Sequence, residues 1–512
     1  MKNKNSGVQL ITYANSLGHN LSDLKHILDH YLKPAIKGVH LLPLFPSSSD
    51  RGFAPLTHRE INPKFGTSTD LEKLSSDYEL MTDLIVNHIS SQSKYFQDYL
   101  QKGDCSRYAN FFIEAQKFSR RWHHKKPKLK FLCFLDSAFE QLTKNMRRLD
   151  FIFHKNGINR LSLHKIYRPR PGSPFIKFKL INGANRYLLC TFSADQIDLN
   201  IKNVAVKKKF IGDIKYLKQL GISFLRLDAV AYTGKKRGTN NFLIPETIAF
   251  IKWLSKQASK ENIKIVPEVH SHYKAQLLLA ELDEIDYVYD FSLPFLMLNA
   301  LFTGQGKYLK DWLIIRPANS ISNLDTHDGI GVVDVKDLLP KTEITKTSQK
   351  IISNGGNATM RATGKNSENV DVYQINCTYF SALAENEQAY IAARAIQLFL
   401  PGIPQIYYVG LLVGKNDEDL LRKTNIGRDI NRHFYKIKEI KKELRRPVVK
   451  KLFKLCKTRN THLAFQGKYK LKKSPDDIIE ILWTHKKDSL LLKINLKNYT
   501  TEIIENKKRK IF

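Results

Sequence analysis

Three carboxylates in this sequence each follow a short apolar run that has the pattern of a β-strand: Asp228, Glu268 and Asp328. They lie about 40 and 60 residues apart, and each has an arginine or a histidine within two positions. A single aspartate after a strand is usually a helix cap. Three carboxylates at three strand ends match glycosyl transfer, in which one attacks the anomeric carbon, one protonates the leaving oxygen and one binds sugar hydroxyls. The spacing therefore predicts one active site on the rim of a barrel.

The elements that would position these carboxylates repeat as β/α units. The strand-like runs are 8–13, 38–44, 80–86, 224–227, 263–269, 287–291, 320–324 and 403–408. Amphipathic helical runs between them include 21–31, 71–77, 206–220, 245–259 and 390–399. Eight strands with intervening helices predict an α/β protein with a (β/α)8 TIM barrel, whose chemistry lies at the C-terminal ends of the strands.

Two insertions and a C-terminal domain accompany the predicted barrel. The predicted boundaries are 1–88, 203–329 and 385–464 for the barrel, 89–202 for an inserted subdomain B, 330–384 for an inserted subdomain B′, and 465–512 for a small C-terminal antiparallel β domain. Subdomain B holds little periodic helix and contains an atypical basic segment, 115–165. Subdomain B′ contains a glycine-bearing stretch, 355–369, that we predict to be a mobile acceptor loop. The basic residues 507–510 are predicted to be a solvated tail.

Composition restricts the class of protein. A hydrophobic fraction of 42% is that of an ordinary globular protein. The chain starts without a long apolar run and has no apolar stretch of membrane-spanning length, so we expect no signal peptide, no membrane association and a cytoplasmic location. The five cysteines are scattered and form no CxxC pair, which favours reduced thiols over a disulfide framework or a zinc site.

The net charge of +34 is extreme for an enzyme. A nucleic acid or another anionic partner is one explanation. Lysines are spread along the whole chain without a nucleic-acid-binding motif, which favours a solvated basic surface, and we predict no nucleic-acid partner. One local excess is present in residues 117–165, where thirteen Lys/Arg stand against three Asp/Glu.

A series of motifs resembles that of the α-amylase superfamily (glycoside hydrolase family 13). These motifs are 83–88 (DLIVNH), 196–200 (QIDLN), 226–228 (RLD), 267–268 (PE) and 326–328 (THD). Further motifs are similar to those of the sucrose phosphorylases within it: 8–14 (VQLITYA), 52–55 (GFAP), 166–172 (IYRPRPG), 324–331 (LDTHDGIG), 371–376 (DVYQIN), 404–410 (PQIYYVG) and 427–433 (GRDINRH). The resemblance covers nearly the whole chain apart from about residues 115–165.

The resemblance implies reversible phosphorolysis of sucrose to α-D-glucose 1-phosphate and D-fructose by a retaining double displacement. Asp228 is then the nucleophile that forms a covalent glucosyl-enzyme, and Glu268 is the general acid and later the base. Asp328 binds glucosyl hydroxyls in the transition state, and pairing with Arg226 is expected to hold Asp228 ionised. The carboxylates supply the chemistry, so neither a cofactor nor a metal is implied.

The resemblance also implies where the substrates bind. The substrate-binding residues are expected to be Asp50, Phe53, His88, Phe192, Arg226, Tyr232, His270, His327, Gln374 and Arg428. Arg170 and Tyr373 are expected to bind phosphate, because a dianion requires cationic and hydroxyl donors. His270 and His272 also resemble half of a metal site, but two histidines without a third ligand favour acceptor-side or structural roles.

Several alternatives stay open at this point. The donor could be sucrose 6′-phosphate, glucosylglycerol or glucosylglycerate, and a basic acceptor loop with Arg361 and Lys365 would suit an additional phosphate. A hydrolase of the superfamily is disfavoured by Arg170 and Tyr373. A remoter alternative is an inactive basic binding protein on the same scaffold. Segment 115–165 could be an insertion, a basic docking element or the product of a frame or gene-model error. A homodimer is compatible with the sequence.

Overall fold

The computed structural model describes residues 7–115, 151–154, 157–160, 166–168, 173–361, 371–506 and 508–511. The basic segment 115–165 therefore lies almost entirely outside the described residues. Arg170 and Lys365 also lie outside them, as does the part of the predicted acceptor loop from 362 to 369.

The core of the molecule is an eight-stranded parallel barrel. In chain order its strands are Gln9–Thr12, Gly38–Leu41, Glu79–Ile85, Ile222–Asp228, Lys264–Pro267, Val288–Asp290, Ser320–Ser322 and Ile403–Tyr407. Each of the eight predicted runs overlaps one of these strands, and the eighth strand pairs with the first. Between the fifth and sixth strands, the N–H of Ile265 donates to the Asp286 carboxylate at 3.0 Å. The (β/α)8 barrel predicted from the sequence is confirmed.

Helices cover the outside of the barrel and extend from the inserted segments. They are Leu21–Ile27, Ser68–Ser75, Lys94–Lys102, Val204–Gln219, Pro245–Lys260, Tyr273–Ala280, Leu293–Thr303, Lys307–Ile315, Lys341–Ser353, Tyr379–Ala382, Glu387–Phe399, Tyr408–Leu411, Glu418–Thr424, Ile437–Glu443 and Pro447–Thr461. The predicted helix 21–31 is α-helical only to Ile27 and continues as a π-helix at Leu28–Leu32. The helix predicted over 71–77 begins earlier, because Thr67 and Asp70 form a capping box.

Between the third and fourth barrel strands the chain forms short antiparallel pairs. They join His88–Ser90 to Gln196–Asp198, Phe151–His154 to Gly157–Arg160, and Phe175–Lys179 to Asn185–Leu189. The sequence led us to expect little periodic helix here, yet Lys94–Lys102 is a helix whose Phe96 and Tyr99 are buried. Of its described residues, Phe192 and Gln196 lie beside the C-terminal ends of the barrel strands.

A second small sheet follows the seventh barrel strand. Its strands are Ile330–Gly331, Asp371–Asn376 and Asn357–Arg361, with Asp371–Asn376 in the centre. The prediction of a mobile loop over 355–369 is wrong at its beginning, since Asn357–Arg361 pairs antiparallel with the central strand.

The chain ends in a five-stranded antiparallel sheet. Its strands are Lys468–Leu471, Ile478–His485, Asp488–Asn495, Thr501–Glu505 and Lys508–Ile511. The prediction of a solvated tail at 507–510 is wrong, because Lys508–Ile511 pairs with Thr501–Glu505 as an edge strand. Lysine is common on edge strands because its charge discourages pairing with other chains.

Two further findings concern cysteines and membranes. Within the described residues Cys105, Cys190, Cys377 and Cys456 are free thiols. Among the same residues no helix combines the length and the apolar character needed to cross a membrane.

Candidate active site

The register of the barrel strands places two of the predicted catalytic carboxylates side by side. Leu227 of the fourth strand pairs with Pro267 of the fifth strand. The next residues along the chain, Asp228 and Glu268, therefore lie side by side at the ends of neighbouring strands. The backbone N–H of Ala229 donates to Oε2 of Glu268 at 2.9 Å, which fixes the glutamate against the loop that carries the aspartate.

Arg226 connects all three carboxylates. Its Nη1 lies 3.1 Å from Oδ1 of Asp228, while its Nη2 lies 3.4 Å from Oε1 of Glu268 and 4.0 Å from Oδ2 of Asp328. The guanidinium also forms an ion pair with Asp83, its register partner on the third strand. Arg226 is 4% exposed, so these interactions are poorly screened by water.

Burial and neighbouring charges act in opposite directions on the pKa of Asp228. Burial is the largest cause and raises the pKa of Asp228. Arg226 lowers it, but the charges of Glu268, Asp83 and Asp328 raise it again, and the pKa lies well above its usual value. That pairing with Arg226 keeps Asp228 ionised stays a prediction: Arg226 does lower the pKa of Asp228, and burial and the other carboxylates oppose it.

Asp328 has the opposite electrostatic environment. Burial raises the pKa of Asp328, but His327, Arg428 and Arg226 lower it below its usual value. Burial lowers the pKa of His327 well below its usual value, so this ring is neutral near pH 7. Arg428 therefore lowers the pKa of Asp328 more than the neutral His327 does, because its Nη1 lies 3.1 Å from Oδ1 of Asp328. Asp328 is held as an anion that can accept hydrogen bonds from hydroxyl groups.

Aromatic rings and a histidine form the walls beside these carboxylates. The rings of Phe53 and His327 are stacked, with centroids 4.9 Å apart and planes within 5°. On the other side, His88 packs edge-on against Phe192 at 5.4 Å. Nε2 of His88 lies 2.8 Å from the carbonyl oxygen of Phe53 and 3.1 Å from Nε2 of Gln196. Flat apolar walls above fixed polar groups suit a sugar ring, which has apolar faces and a polar edge.

Most of the predicted residues meet in one cleft. Its lining includes the expected Asp50, Phe53, His88, Phe192, Asp228, Tyr232, Glu268, His270, His327, Asp328, Tyr373, Gln374 and Arg428. Arg226 lies beneath this lining, where its guanidinium contacts the carboxylates. Arg170 lies outside the described residues, so its predicted contact with phosphate has no structural counterpart here.

The opposite end of the cleft is formed by the insertions. Tyr232 packs edge-on against Phe192 at 5.1 Å and against Phe242 at 5.0 Å. Tyr373 and Gln374 enter from the central strand of the small sheet, and Gln374 is buried. This half of the cleft therefore combines an aromatic wall with amide and phenol groups.

A strained turn carries Asp50 into the cleft. Asp50 and Arg51 have positive φ angles of 54° and 49°, and Gly52 follows with a φ of 108°. The Arg51 guanidinium lies 4.4 Å from the ring centroid of Tyr13 and 4.6 Å from that of Phe434. Backbone strain of this kind persists only where surrounding contacts impose it, and it is common at ligand sites.

One group of side chains has metal-like spacing. Ligand atoms of Glu268, His270 and Asp328 lie within 4.8 Å of one another. Arg226 already supplies a positive charge to both carboxylates, which makes a second cation there unfavourable. His272 is not part of this group, because its Nε2 lies 2.9 Å from Oδ2 of Asp337.

Sequence reasoning missed Gln196 and Phe242, which line the cleft, and Arg51, which lies next to the lining residue Asp50. Gln196 belongs to a recognised motif, yet its contact with His88 depends on the fold of the insertion. Phe242 lies in a loop without periodicity, so no local signal identifies it. Arg51 adjoins a predicted sugar ligand, and its position between two rings joins three separate parts of the chain.

The sequence is similar to a known family profile over part of its length and to named proteins over nearly its whole length. The sequence profile described as "Alpha amylase, catalytic domain" matches residues 11–309. A sucrose phosphorylase of Streptococcus mutans is 39% identical over 502 residues, which cover 97% of this chain and 97% of the relative. A glucosylglycerol phosphorylase of Marinobacter adhaerens is 37% identical over 482 residues, which cover 94% of this chain and 92% of the relative.

A solved structure is similar over the whole length. The crystal structure of a sucrose 6F-phosphate phosphorylase from Thermoanaerobacter thermosaccharolyticum has a TM-score of 0.87 and 38% identity, and the match covers 100% of this chain and 98% of that chain. Relatives with three differently named substrates thus have comparable identity to this chain.

Replacement of Gly52 by alanine tests whether the strained turn depends on glycine. An added Cβ would lie 2.7 Å from Cβ and 2.8 Å from the carbonyl oxygen of Pro43, which cannot easily move. Gly183 is a matched control, since its φ is +83° but nothing lies within 4 Å of the added Cβ. We expect Gly183→Ala to lower the free energy of unfolding by about 1 kcal/mol and Gly52→Ala by about 2–4 kcal/mol, measured by denaturant unfolding. Equal losses in the two variants would contradict this account.

Proposed function

The chain belongs to the α-amylase family, and we propose that it is a disaccharide phosphorylase that transfers the glucosyl group of sucrose to inorganic phosphate. The observation that carries the proposal is the convergence of Asp228, Glu268 and Asp328 on one buried guanidinium in one cleft. The near full-length relatives that bear the name phosphorylase support phosphate, rather than water, as the acceptor.

In the first step the enzyme exchanges one glycosidic bond for an ester. An oxygen of Asp228 attacks the anomeric carbon while Glu268 donates a proton to the departing fructosyl oxygen, so fructose leaves and a covalent glucosyl-enzyme remains. Asp328 accepts hydrogen bonds from glucosyl hydroxyls, and these bonds strengthen as the ring approaches the oxocarbenium ion. The stacked Phe53 and His327 rings pack against the sugar and limit the access of water.

In the second step phosphate replaces fructose. A phosphate oxygen attacks the anomeric carbon, the ester bond to Asp228 breaks, and Glu268 receives the proton of the attacking hydroxyl. Two inversions at the same carbon give α-D-glucose 1-phosphate with retained configuration.

The proposed steps require one proton between two neighbouring carboxyl groups. A double displacement starts from one ionised nucleophile and one protonated acid, so the charge must lie on Asp228 and the proton on Glu268 when the donor reacts. Both side chains lie beside the same Arg226 guanidinium, which favours the ionised form of Asp228 through Nη1.

The described lining of the cleft offers no unpaired arginine or lysine to a phosphate group on fructose. Arg428 is the single arginine or lysine among the described residues that line the cleft, and it pairs with Asp328. A phosphate on fructose would therefore need cations from residues such as Arg170 or Lys365, which lie outside the described part of the chain.

Sucrose 6′-phosphate is the second candidate donor. A phosphorylase named for that substrate matches the fold over the whole chain, with a TM-score of 0.87. Glucosylglycerol is a further candidate, because a relative of 37% identity bears that name.

The experiment that tests the proposal compares donors with and without phosphate. Purified protein is incubated with sucrose, sucrose 6′-phosphate, glucosylglycerol or glucosylglycerate, and glucose 1-phosphate is measured. We expect phosphate-dependent product that forms fastest from sucrose. If glucose 1-phosphate forms fastest from another donor, that compound is the substrate instead of sucrose. Glucose release that is independent of phosphate would instead identify a hydrolase.

Asp228→Asn should remove the nucleophile without changing the side-chain volume. We expect kcat for glucose 1-phosphate formation to fall by about 10⁴-fold, because an amide cannot form the glucosyl ester. Asp337→Asn is the matched control, since Asp337 pairs with the exposed side of His272 outside the cleft. Activity in Asp228→Asn within tenfold of the control would exclude Asp228 as nucleophile.

Glu268→Gln should separate the two steps. With α-glucosyl fluoride the leaving group needs no proton, so the first step proceeds, while the missing base slows the second step. We expect mass spectrometry of the quenched protein to detect one added hexosyl group, located on Asp228. A hexosyl group on another residue, or its presence in Asp228→Asn, would contradict these roles.

A further inference from the structure

Asp334 is a buried carboxylate that the two steps above leave without a role. It lies in the 3-10 helix Val333–Val335 and is 2% exposed. Its Oδ2 lies 3.3 Å from Nδ1 of His270, and its Oδ1 accepts the backbone N–H of Ser271 at 3.0 Å. Both contacts fall on the segment that directly follows the general acid, Glu268. Asp334 therefore holds the ring and the backbone of this segment together.

The same aspartate is attached to the acceptor side of the cleft. Gly331, three residues before it, pairs with Gln374 in the small sheet. A Cβ on Gly331 would lie 2.1 Å from Oδ2 of Asp334, so a glycine leaves the room that the carboxylate occupies. Asp334 thus joins the sheet that carries the acceptor-side Gln374 to the strand end that carries His270.

The other contacts of His270 leave its ring one orientation. The ring stacks on Phe291, with centroids 3.7 Å apart and an angle of 24° between the planes. With Nδ1 directed at Asp334, the opposite Nε2 lies 3.8 Å from Oε1 of Glu268. The ring of Tyr373 lies edge-on at 6.3 Å on the acceptor side. Nε2 of His270 consequently faces the place where proton transfer to and from the acceptor occurs.

The charges around His270 favour its protonated form. Burial lowers the pKa of His270, but the charge and hydrogen bond of Asp334 raise it, and the charges of Glu268 and Asp328 raise it further. The resulting pKa lies above the usual value for histidine. Burial raises the pKa of Asp334 above its usual value, although the charge and hydrogen bond of His270 and the N–H of Ser271 lower it in part.

We propose that Asp334 is a positioning residue that directs His270 as a cationic donor toward the incoming phosphate. The proposal rests on the phosphorylase function. Arg428 is engaged with Asp328, so an imidazolium at His270 is the remaining cation among the described lining residues. A charge-assisted hydrogen bond from Nε2 stabilises a phosphate dianion more than neutral water. Asp334 would therefore raise the ratio of phosphorolysis to hydrolysis without touching either substrate.

The first test compares Asp334→Asn with Asp337→Asn. Both variants neutralise an aspartate that pairs with a histidine, but the pair of Asp337 and His272 lies outside the cleft. For Asp334→Asn we expect KM for phosphate to rise about tenfold and the hydrolysed fraction of sucrose to increase, with kcat changed less. Asp337→Asn should match the wild type in all three quantities.

The pH profile gives a readout that a purely structural role would not move. Loss of the Asp334 charge lets His270 release its proton at lower pH. The alkaline limb of kcat/KM for phosphate should therefore shift downward by about one pH unit in Asp334→Asn. Coincident profiles and equal KM for phosphate in both aspartate variants would overturn the proposal.

A histidine NMR titration separates this proposal from the proposed function. His270→Gln identifies the His270 ring signals, and the apparent pKa of that ring should be lower in Asp334→Asn than in the wild type. An unchanged titration in folded Asp334→Asn would refute the coupling even if no donor supports phosphorolysis. Should Asp334→Asn fail to fold, His270→Gln must reproduce the rise in KM for phosphate, and a normal KM would reject the role.

Discussion

The buried guanidinium of Arg226 is the interaction on which the rest of the site depends. It lies within 4.0 Å of the carboxylates of Asp83, Asp228, Glu268 and Asp328, so four carboxylates share its positive charge. Several carboxylates so close together in a poorly hydrated cleft repel one another, and a partner lost from such a cluster leaves uncompensated buried charge. Arg226 therefore sets how near the carboxylates can lie. One guanidinium carries a single positive charge beside four carboxyl groups, and burial together with the neighbouring carboxylates raises the pKa of Asp228.

This arrangement is fixed by the strand register. Arg226 lies opposite Asp83 on one neighbouring strand and opposite Val266 on the other. A shift of one residue would turn every side chain of the strand to its other face and would remove the guanidinium from the cleft. The hydrophobic packing that sets the register of the barrel thereby also sets the geometry of Arg226 and the carboxylates around it. The same strand pairings therefore support both the stability of the barrel and the arrangement of the carboxylates.

The sequence predicted the barrel and its carboxylates because both depend on local signals. The barrel strands lie within largely apolar runs, and Asp228 and Glu268 lie at or directly after the end of one, while Asp328 follows six residues after the seventh strand, Ser320–Ser322. Contacts between distant segments have no such signal: Asp334 and His270 are 64 residues apart, and Gln196 and His88 are 108 residues apart. The edge strand Lys508–Ile511 was misread because its lysines have the pattern of a solvated tail. The protonation of Asp228 depends on burial, which only the folded chain determines.

The two halves of the cleft are built on different parts of the fold, and this difference bears on substrate choice. The glucosyl half is formed largely by barrel strand ends, where a substitution disturbs the register and the Arg226 cluster together. The acceptor half is formed by Tyr232, Phe242, Tyr373 and Gln374, which lie on insertions and on a small separate sheet. Loops and insertions tolerate substitution better than core strands, since fewer buried contacts depend on them. Under the proposed function, one glucosyl site can therefore be retained while the acceptor changes. Relatives named for different substrates have comparable identity to this chain, which agrees with that division.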